Sequence, residues 1–283
     1  MVQSTKSRDS TRGLKIFSRL SVYWTLVKMQ FLTQMEYRGV VNFLFVAKIF
    51  GMGSGYIIIY LMFHSFKDIN GWNVYEIIFL QAIFNIVYSL SSCLFFNSVE
   101  QFPQKIASGE FDAILTKPVN SLFYFMFRIF STGYISNFLI AVSMLIFAWV
   151  NIGIILSISK IGLLILFIFG GVLIQSAIYI IAAVPNFWFI KGDAFTGLVL
   201  FGSANFVNYP LSIYKLPVQI VLSLIIPYGF VNFYPSQYFL AKNDYLFFPP
   251  VVQFLSPVIG IIFFLGAWKL WDFAVDHYQS TGS

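Results

Sequence analysis

The run IGLLILFIFGGVLIQSAIYIIAAV, residues 161–184, contains no charged side chain and is long enough to cross a membrane as one helix. A transmembrane helix needs about 20 consecutive apolar residues. Three further long apolar runs occupy residues 40–63, 77–96 and 129–152. A transmembrane barrel would instead show strands of about 10 residues in which apolar and polar side chains alternate. The four runs therefore predict transmembrane helices.

The composition extends this prediction to the whole chain. Of the 283 residues, 59% are hydrophobic, 20% are aromatic and only 10% are charged. A soluble domain of this length does not need so many apolar side chains. The length accommodates about six spans and leaves few residues for anything else. We therefore predict an all-α integral membrane protein in which residues 1–283 form a single transmembrane domain.

The last third of the chain is interrupted by prolines. Residues 194–206 are too short to cross a membrane, so we predict an interfacial or half-inserted segment there. Residues 216–233 are predicted as the fifth span despite Pro227, and residues 251–271 as the sixth. Pro257 lies inside the sixth run and predicts a kink. Six spans place both termini on the same side of the membrane.

The distribution of Lys and Arg predicts the side of the membrane on which the termini lie, because cytoplasmic loops hold the excess of positive charge. Residues 1–38 are rich in Lys and Arg, so we place both termini in the cytoplasm. Within this segment, residues 14–32 mix apolar and charged side chains and predict an amphipathic interfacial helix. Membrane lipids with anionic headgroups are its expected partners. This topology accounts for the net charge of +6 without a nucleic acid partner.

A polar stretch at residues 97–120 separates the second and third spans, and the topology places it in the cytoplasm. Ile106, Phe111, Ile114 and Leu115 are spaced to form one apolar stripe on a short helix. Two interpretations fit this pattern. The stretch is either a connector that rests on the membrane or a docking helix that fits a groove on a partner.

Three short segments share a family resemblance. Residues 109–123 (GEFDAILTKPVNSLF), 209–214 (YPLSIY) and 227–235 (PYGFVNFYP) are similar to segments of the permease subunits of type-2 ATP-binding-cassette (ABC) exporters, especially the branch of small, six-span permeases. The resemblance extends over the whole chain, although only these segments are distinctive. Lys117 stands where that family often has arginine, and Val119 where leucine is common. Both differences preserve the charge or the apolar character.

The resemblance implies a permease subunit that is not itself an enzyme. In such systems a second permease, identical or homologous, completes the path, and two ABC ATPase subunits that bind ATP and Mg drive alternating access. A bacterial cytoplasmic membrane is the expected location. The chain has no Gly-x-x-x-x-Gly-Lys-Ser/Thr loop to hold phosphates, which agrees with ATP hydrolysis on a separate chain.

By the same resemblance, the polar stretch would be the coupling helix that contacts the ATPase, with Phe111 as its apolar anchor. The expected contact residues are Glu100, Lys105, Gly109, Glu110, Phe111, Asp112, Leu115, Lys117 and Pro118. The alternative function is an ATP-independent channel or carrier, or a membrane scaffold, in which this stretch is only structural.

Four polar residues inside the predicted spans each have two interpretations. Lys48 either snorkels to the cytoplasmic face or lines a substrate path. Asn85, Asn137 and Gln175 either line that path or bridge neighbouring helices, which is the commoner role of polar residues in membranes.

Small residues and prolines carry further predictions. Gly51 and Gly55 have the spacing that lets membrane helices approach closely, and we predict a packing role, with the partner permease for example. Residues 232–248 are rich in Tyr and Phe and lie at the predicted outer boundary, with Pro227, Asn232 and Pro235 at or near the start of this segment. This segment is either a resting aromatic belt or an outer gate of the path.

The sequence predicts no catalytic residue, no metal site and no cofactor on this chain. Cys93 is the single cysteine, which excludes an intrachain disulfide and a thiolate metal site. His64 and His277 lie at opposite faces of the membrane in the predicted topology, so they cannot share a metal ion. The substrate is left open.

Overall fold

The structure is a computed structural model that describes residues 23–29, 31–33, 35–36, 38–65, 68–155, 157–189 and 193–279. Much of the interfacial helix predicted at residues 14–32 lies outside the described residues. Residues 23–29 are helical. The ring of Tyr23 lies 5.2 Å from that of Phe127 and 6.0 Å from that of Phe123. The chain before the first long helix therefore contacts the segment that precedes the third long helix.

Helices form almost all of the regular structure in these residues. The α-helices are α1 (Arg38–Ser65), α2 (Val74–Leu94), α3 (Phe96–Ala107), α4 (Glu110–Leu115), α5 (Ser121–Arg128), α6 (Tyr134–Ile152), α7 (Ile158–Ala183), α8 (Asp193–Gly197), α9 (Leu216–Ile220), α10 (Phe233–Leu240) and α11 (Ser256–Asp276). Shorter 3-10 or π-helical segments lie at Val184–Phe187, Leu198–Gly202, Ser203–Asn208, Leu211–Ile213, Val221–Ile225, Tyr228–Phe230 and Pro250–Phe254. The predicted all-α fold is confirmed.

Within the described residues, five helices are long and apolar enough to cross a membrane. They are Phe45–His64, Val74–Leu94, Tyr134–Ile152, Ile158–Phe187 and Ser256–Asp276. The first four confirm the four spans predicted from the long apolar runs, with ends that differ by a few residues.

The predicted fifth span at residues 216–233 is not one continuous helix. Leu216–Ile225 and Tyr228–Leu240 form two arms that meet at 74°. The break falls at Pro227, because a proline has no N–H to donate to the helix and its ring fixes φ. The bent pair adds a sixth span if the two arms cross the membrane together.

The last long helix begins later than the sequence predicts. Residues 251–271 are the predicted span, but α11 begins at Ser256 and Pro250–Phe254 form a separate 3-10 turn. Pro257 lies in the first turn of α11. A first-turn N–H has no partner within the helix, so a proline there costs no hydrogen bond. The predicted kink at Pro257 is therefore wrong.

α2 lies at the centre of the bundle. In its most apolar stretch 72% of the residues are buried, against 11% for α1. α2 packs against α6 and α7, and α7 packs along α11. A Cβ added to Gly260 of α11 would stand only 2.5 Å from the carbonyl oxygen of Gly170 on α7. These two glycines, which the sequence prediction missed, allow α7 and α11 to approach each other closely.

Candidate functional site

A cleft lies between α1, α2 and α6. Its larger part has a volume of about 420 Å³ and is lined by Ala47, Lys48, Gly51, Met52, Asn85, Tyr88 and Asn137. A second part of about 260 Å³ shares Gly51, Met52, Asn85 and Tyr88, and its lining continues to Gly55, Gln81, Phe84, Leu200, Phe201 and Asn208. Ligand pockets in proteins have volumes of about 300–1,000 Å³. The cleft therefore has the size of a small-molecule site.

Three residues predicted separately as path residues meet in this cleft. Lys48 comes from α1, Asn85 from α2 and Asn137 from α6. Their convergence agrees with the interpretation that they line a path, and their role in transport stays a prediction.

Gln81 is a cleft residue that the sequence prediction missed. Gln81, Asn85 and Tyr88 stand at positions i, i+4 and i+7 of α2, and this spacing puts three polar groups on one face of a helix. The pattern was visible in the sequence. The sequence does not show, however, that this face of α2 lies opposite α1, because α1 comes from a separate part of the chain.

The two glycines predicted to pack helices border the cleft instead. A Cβ added to Gly51 would meet no atom within 4 Å, and one added to Gly55 would meet only Gln81 Nε2, at 3.5 Å. Among the described residues they leave room in front of α1 rather than closing a helix contact. Packing of these glycines against a partner permease stays a prediction.

Lys48 supplies the positive charge of the cleft. Its Nζ lies 3.7 Å from the centroid of the Tyr134 ring, a cation–π contact with the first residue of α6. The ion pairs found in the described part of the chain join Lys105 to Glu110 and Lys242 to Glu76. None of the described carboxylates therefore pairs with Lys48.

Two amide oxygens at the cleft are buried and have no hydrogen-bond partner among the described residues. They are Gln81 Oε1 and Asn137 Oδ1. The Gln81 side chain is deeply enclosed, since the residue is only 7% exposed. The neighbouring Asn85 side chain does have a protein partner, because its Nδ2 donates to Tyr56 Oη over 3.0 Å. An unpaired buried acceptor costs about 1–3 kcal/mol, so the two oxygens favour a molecule that brings donors.

The remaining predicted path or gate residues do not line the cleft. Gln175 is 2% exposed on α7. Asn232 donates from Nδ2 to two main-chain carbonyls, one of them on α2, at 3.2 and 2.9 Å. Pro227 lies at the break of the bent pair and Pro235 in the first turn of α10. Asn232 thus ties the bent pair to α2, and a gating role for this segment stays a prediction.

The polar stretch at residues 97–120 folds into α3, α4 and the turns around them. Gly109 has φ of 72°, a left-handed conformation that favours glycine, and it separates the two helices. Lys105 Nζ and Glu110 Oε2 pair over 3.3 Å across this turn. The short helix predicted from the apolar stripe is therefore present as α4, and it ends before Pro118.

Phe111 does not present its ring to a partner. The residue is 0% exposed. Its ring centroid lies 5.3 Å from that of Phe102, 5.4 Å from Phe187, 5.6 Å from Tyr278 and 6.1 Å from Trp271. The expectation that Phe111 is the apolar anchor on an ATPase is therefore wrong. The ring instead anchors α4 to the end of α7 and to α11.

Asp112 faces the segment that follows α11. Burial, followed by the nearby Asp112 carboxylate, raises the pKa of Tyr278 to about 12. Five of the expected contact residues are exposed, and we call these five the coupling surface. They are Glu100, Glu110, Leu115, Lys117 and Pro118.

Residues 49–282 match the family described as ABC-2 family transporter protein. The chain belongs to this family, and it is a permease subunit of a type-2 ABC transporter. A comparison with curated proteins finds no match. Membership makes the chain a multi-pass membrane component that associates with ABC ATPase components and is not itself catalytic. Within the described residues, no group of three His, Cys, Asp or Glu side chains could hold a metal ion.

Proposed function

We propose that the chain is the membrane subunit of an ATP-driven exporter in the bacterial cytoplasmic membrane. Two permease subunits, identical or homologous, would enclose the path. Two separate ABC ATPase subunits that bind ATP and Mg would drive alternating access. The observation that carries this proposal is the position of α4, which has the coupling surface on one side and the Phe111 ring buried against long helices on the other.

The exposed side of α4 suits a soluble partner. Leu115 is 37% exposed, and Glu110 and Lys117 lie near it in the sequence with opposite charges. An apolar side chain with charges around it is typical of the helix-in-groove mode of recognition.

The buried side of α4 can transmit movement into the membrane. The Phe111 ring contacts Phe187, which ends the α7 span, and Trp271, which belongs to α11. α7 and α11 are themselves held together at Gly170 and Gly260. Because close-packed interiors transmit displacement rather than absorb it, a partner that shifts α4 would move these two spans together.

The charge distribution supports a cytoplasmic position for the coupling surface. Residues 1–38 are rich in Lys and Arg, which favours a cytoplasmic N-terminus. Tyr23, in the same segment, contacts Phe123 and Phe127 of α5. The positively charged segment and the α3–α5 region would thus share the side of the membrane where ATP is available.

The test is a gentle detergent purification of the full chain from its own host membrane, with assay of bound ATPase subunits and of ATP hydrolysis. We expect an ATPase and a second permease to co-purify. Leu115→Asp combined with Lys117→Glu should remove the ATPase, whereas Lys160→Glu, at the start of α7, should not. If no ATPase binds in any gentle detergent, or if the double variant keeps it, an ATP-independent channel, carrier or scaffold becomes the better explanation.

A further inference from the structure

One end of the cleft is suited to an anion. The Lys48 ammonium rests on the Tyr134 ring, and the described ion pairs do not include it. An ammonium has three N–H donors, and the face of one ring cannot satisfy all of them. A cation at membrane depth is costly unless it meets an anion or water. This end of the cleft therefore favours a negatively charged group.

Two residues that line the cleft carry buried amide oxygens without a hydrogen-bond donor among the described residues. Gln81 Oε1 and Asn137 Oδ1 are both buried without a donor in the described chain. Gln81 lines the cleft and is more than nine-tenths buried. Leaving such an oxygen unpaired is unfavourable. A ligand that carries hydroxyl or N–H groups would supply the missing donors.

Part of the remaining lining is apolar, and the stretch of α1 that borders the cleft sets its length. Met52, Phe84 and Phe201 contribute apolar surface between the polar groups. Along α1 the lining begins at Ala47, beside Lys48, and ends at Gly55; Lys48 and Gly55 are seven residues apart. At 1.5 Å of rise per residue, this distance is about 10 Å.

We infer that the cleft binds an amphipathic molecule that carries one negatively charged group, held by Lys48, and hydroxyl or amide donors that reach Gln81 and Asn137. The inference rests on the proposed function, because it names the class of molecule that the permease would move. Phosphate, sulfate and carboxylate headgroups share this chemistry.

The charge is tested by binding of three probes with the same oleoyl chain to the purified full chain in a nonionic detergent. The probes are lysophosphatidylglycerol, which is anionic and bears hydroxyls, lysophosphatidylcholine, which is zwitterionic, and monooleoylglycerol, which is neutral. We expect the anionic probe to bind at least about tenfold more tightly than the other two, as a charge-assisted hydrogen bond predicts. Lys48→Met should abolish the preference and Lys48→Arg should keep it. Equal binding of the three probes, or a preference that survives Lys48→Met, would overturn the inference.

The location is tested by filling the cleft. A side chain added at Gly51 meets no protein atom at its Cβ and enters the cleft, so Gly51→Leu should fold and should weaken binding of the anionic probe at least about tenfold. Gly53 has equally open surroundings but does not line the cleft. Gly53→Leu should therefore bind as the parent chain does. Equal effects of the two substitutions would contradict the assignment of the site.

The source of the ligand is distinguished in lipid nanodiscs. If phosphatidylglycerol discs weaken binding of the anionic probe relative to phosphatidylcholine discs, the occupant is an anionic lipid of the bilayer. If the two discs give the same affinity, the occupant is a separate anionic amphiphile, and both results support the inferred chemistry. Because no ATPase subunit is present in these assays, a negative result is distinct from a failure of ATPase co-purification.

Discussion

The rings of Phe111 and Trp271 lie 6.1 Å apart and nearly perpendicular, at 80°. Phe111 belongs to α4, a helix of six residues, and Trp271 to the last long helix. Phe102 and Phe187 lie against the same indole, at 5.3 and 5.2 Å. A helix of this length is not stable alone. Its position is therefore set by the aromatic cluster.

Phe111→Ala should destabilise the chain by about 3–5 kcal/mol, because it leaves a cavity among packed rings. It should also weaken ATPase binding, although the ring never reaches the surface, since α4 loses its anchor. The measurements are the thermal unfolding midpoint in detergent and the amount of ATPase that co-purifies. Leu115→Ala is the matched control and should leave the midpoint within the range of a surface substitution while it weakens ATPase binding. Unchanged stability of Phe111→Ala would contradict the role given to the cluster.

Gly260→Ala should prevent α7 and α11 from packing at their present distance. The added Cβ would stand 2.5 Å from the Gly170 carbonyl oxygen, which is main chain and cannot rotate away. We expect a loss of about 1–3 kcal/mol, typical of overpacking, seen as a lower unfolding midpoint. Gly266→Ala lies on the same helix with no atom within 4 Å of its added Cβ. It should be neutral or slightly stabilising, as alanine favours a helix by about 1 kcal/mol over glycine, and equal behaviour of the two variants would refute the close contact.

Tyr278 should lose its proton well above the ordinary tyrosine pKa. Burial and the Asp112 carboxylate favour the neutral phenol and raise its pKa to about 12 in the folded chain, against about 10 in an unfolded one. A group with a raised folded pKa contributes stability that is complete below the unfolded pKa and is lost as the pH rises through the folded pKa. The contribution should therefore disappear between about pH 10 and pH 12.

The measurement is tyrosinate absorbance and the unfolding midpoint as functions of pH, with Tyr278→Phe as the variant. The variant should lack one tyrosinate that forms near the top of this range, and its midpoint should fall less steeply with pH. A missing tyrosinate that titrates near pH 10 would show that Tyr278 is not enclosed beside Asp112.

Lys242 should hold the loop after α10 to the start of α2. Its Nζ lies 3.1 Å from Glu76 Oε2, donates to the Gly71 carbonyl over 2.8 Å, and stands 4.8 Å from the centroid of the Trp72 ring. Lys242→Met removes the charge from all three contacts. We expect hydrogen exchange in residues 241–248 to accelerate about tenfold, equivalent to about 1.4 kcal/mol. Lys160→Met should leave it unchanged, and identical exchange in both variants would exclude this attachment.

Continuous apolar runs were sufficient to predict the first four spans, because the membrane sets helix length and every backbone group must be satisfied within the helix. The fifth is predicted as one continuous helix, and it is bent for a local reason. Average hydropathy is high across Pro227, but the missing N–H breaks the helix there and turns the chain by 74°. Pro257, in contrast, does not break a helix, because α11 begins at Ser256 and the proline lies in its first turn. The sequence alone did not indicate where α11 begins.

The candidate site was partly predictable. The polar face of α2 follows from helical spacing alone, although Gln81 was overlooked. That Lys48 would meet Asn85 and Asn137 depended on how α1, α2 and α6 pack, and a single sequence does not contain that information. Phe111 was misassigned for a similar reason, because Phe187 and Trp271, which bury its ring, are distant in the chain.

The weak attachment of α1 has a consequence for the range of molecules that the cleft would accept under the inference above. α1 supplies one wall but buries only 11% of its most apolar stretch in the protein, whereas the opposite wall, on α2, is 72% buried. Moving α1 outward exchanges few protein contacts for contacts with lipid tails, which are about equally apolar. For the ligand inferred above, the upper limit on size would therefore be set by the surrounding bilayer and by whatever packs on the outer face of α1, rather than by the rigidity of the helical core.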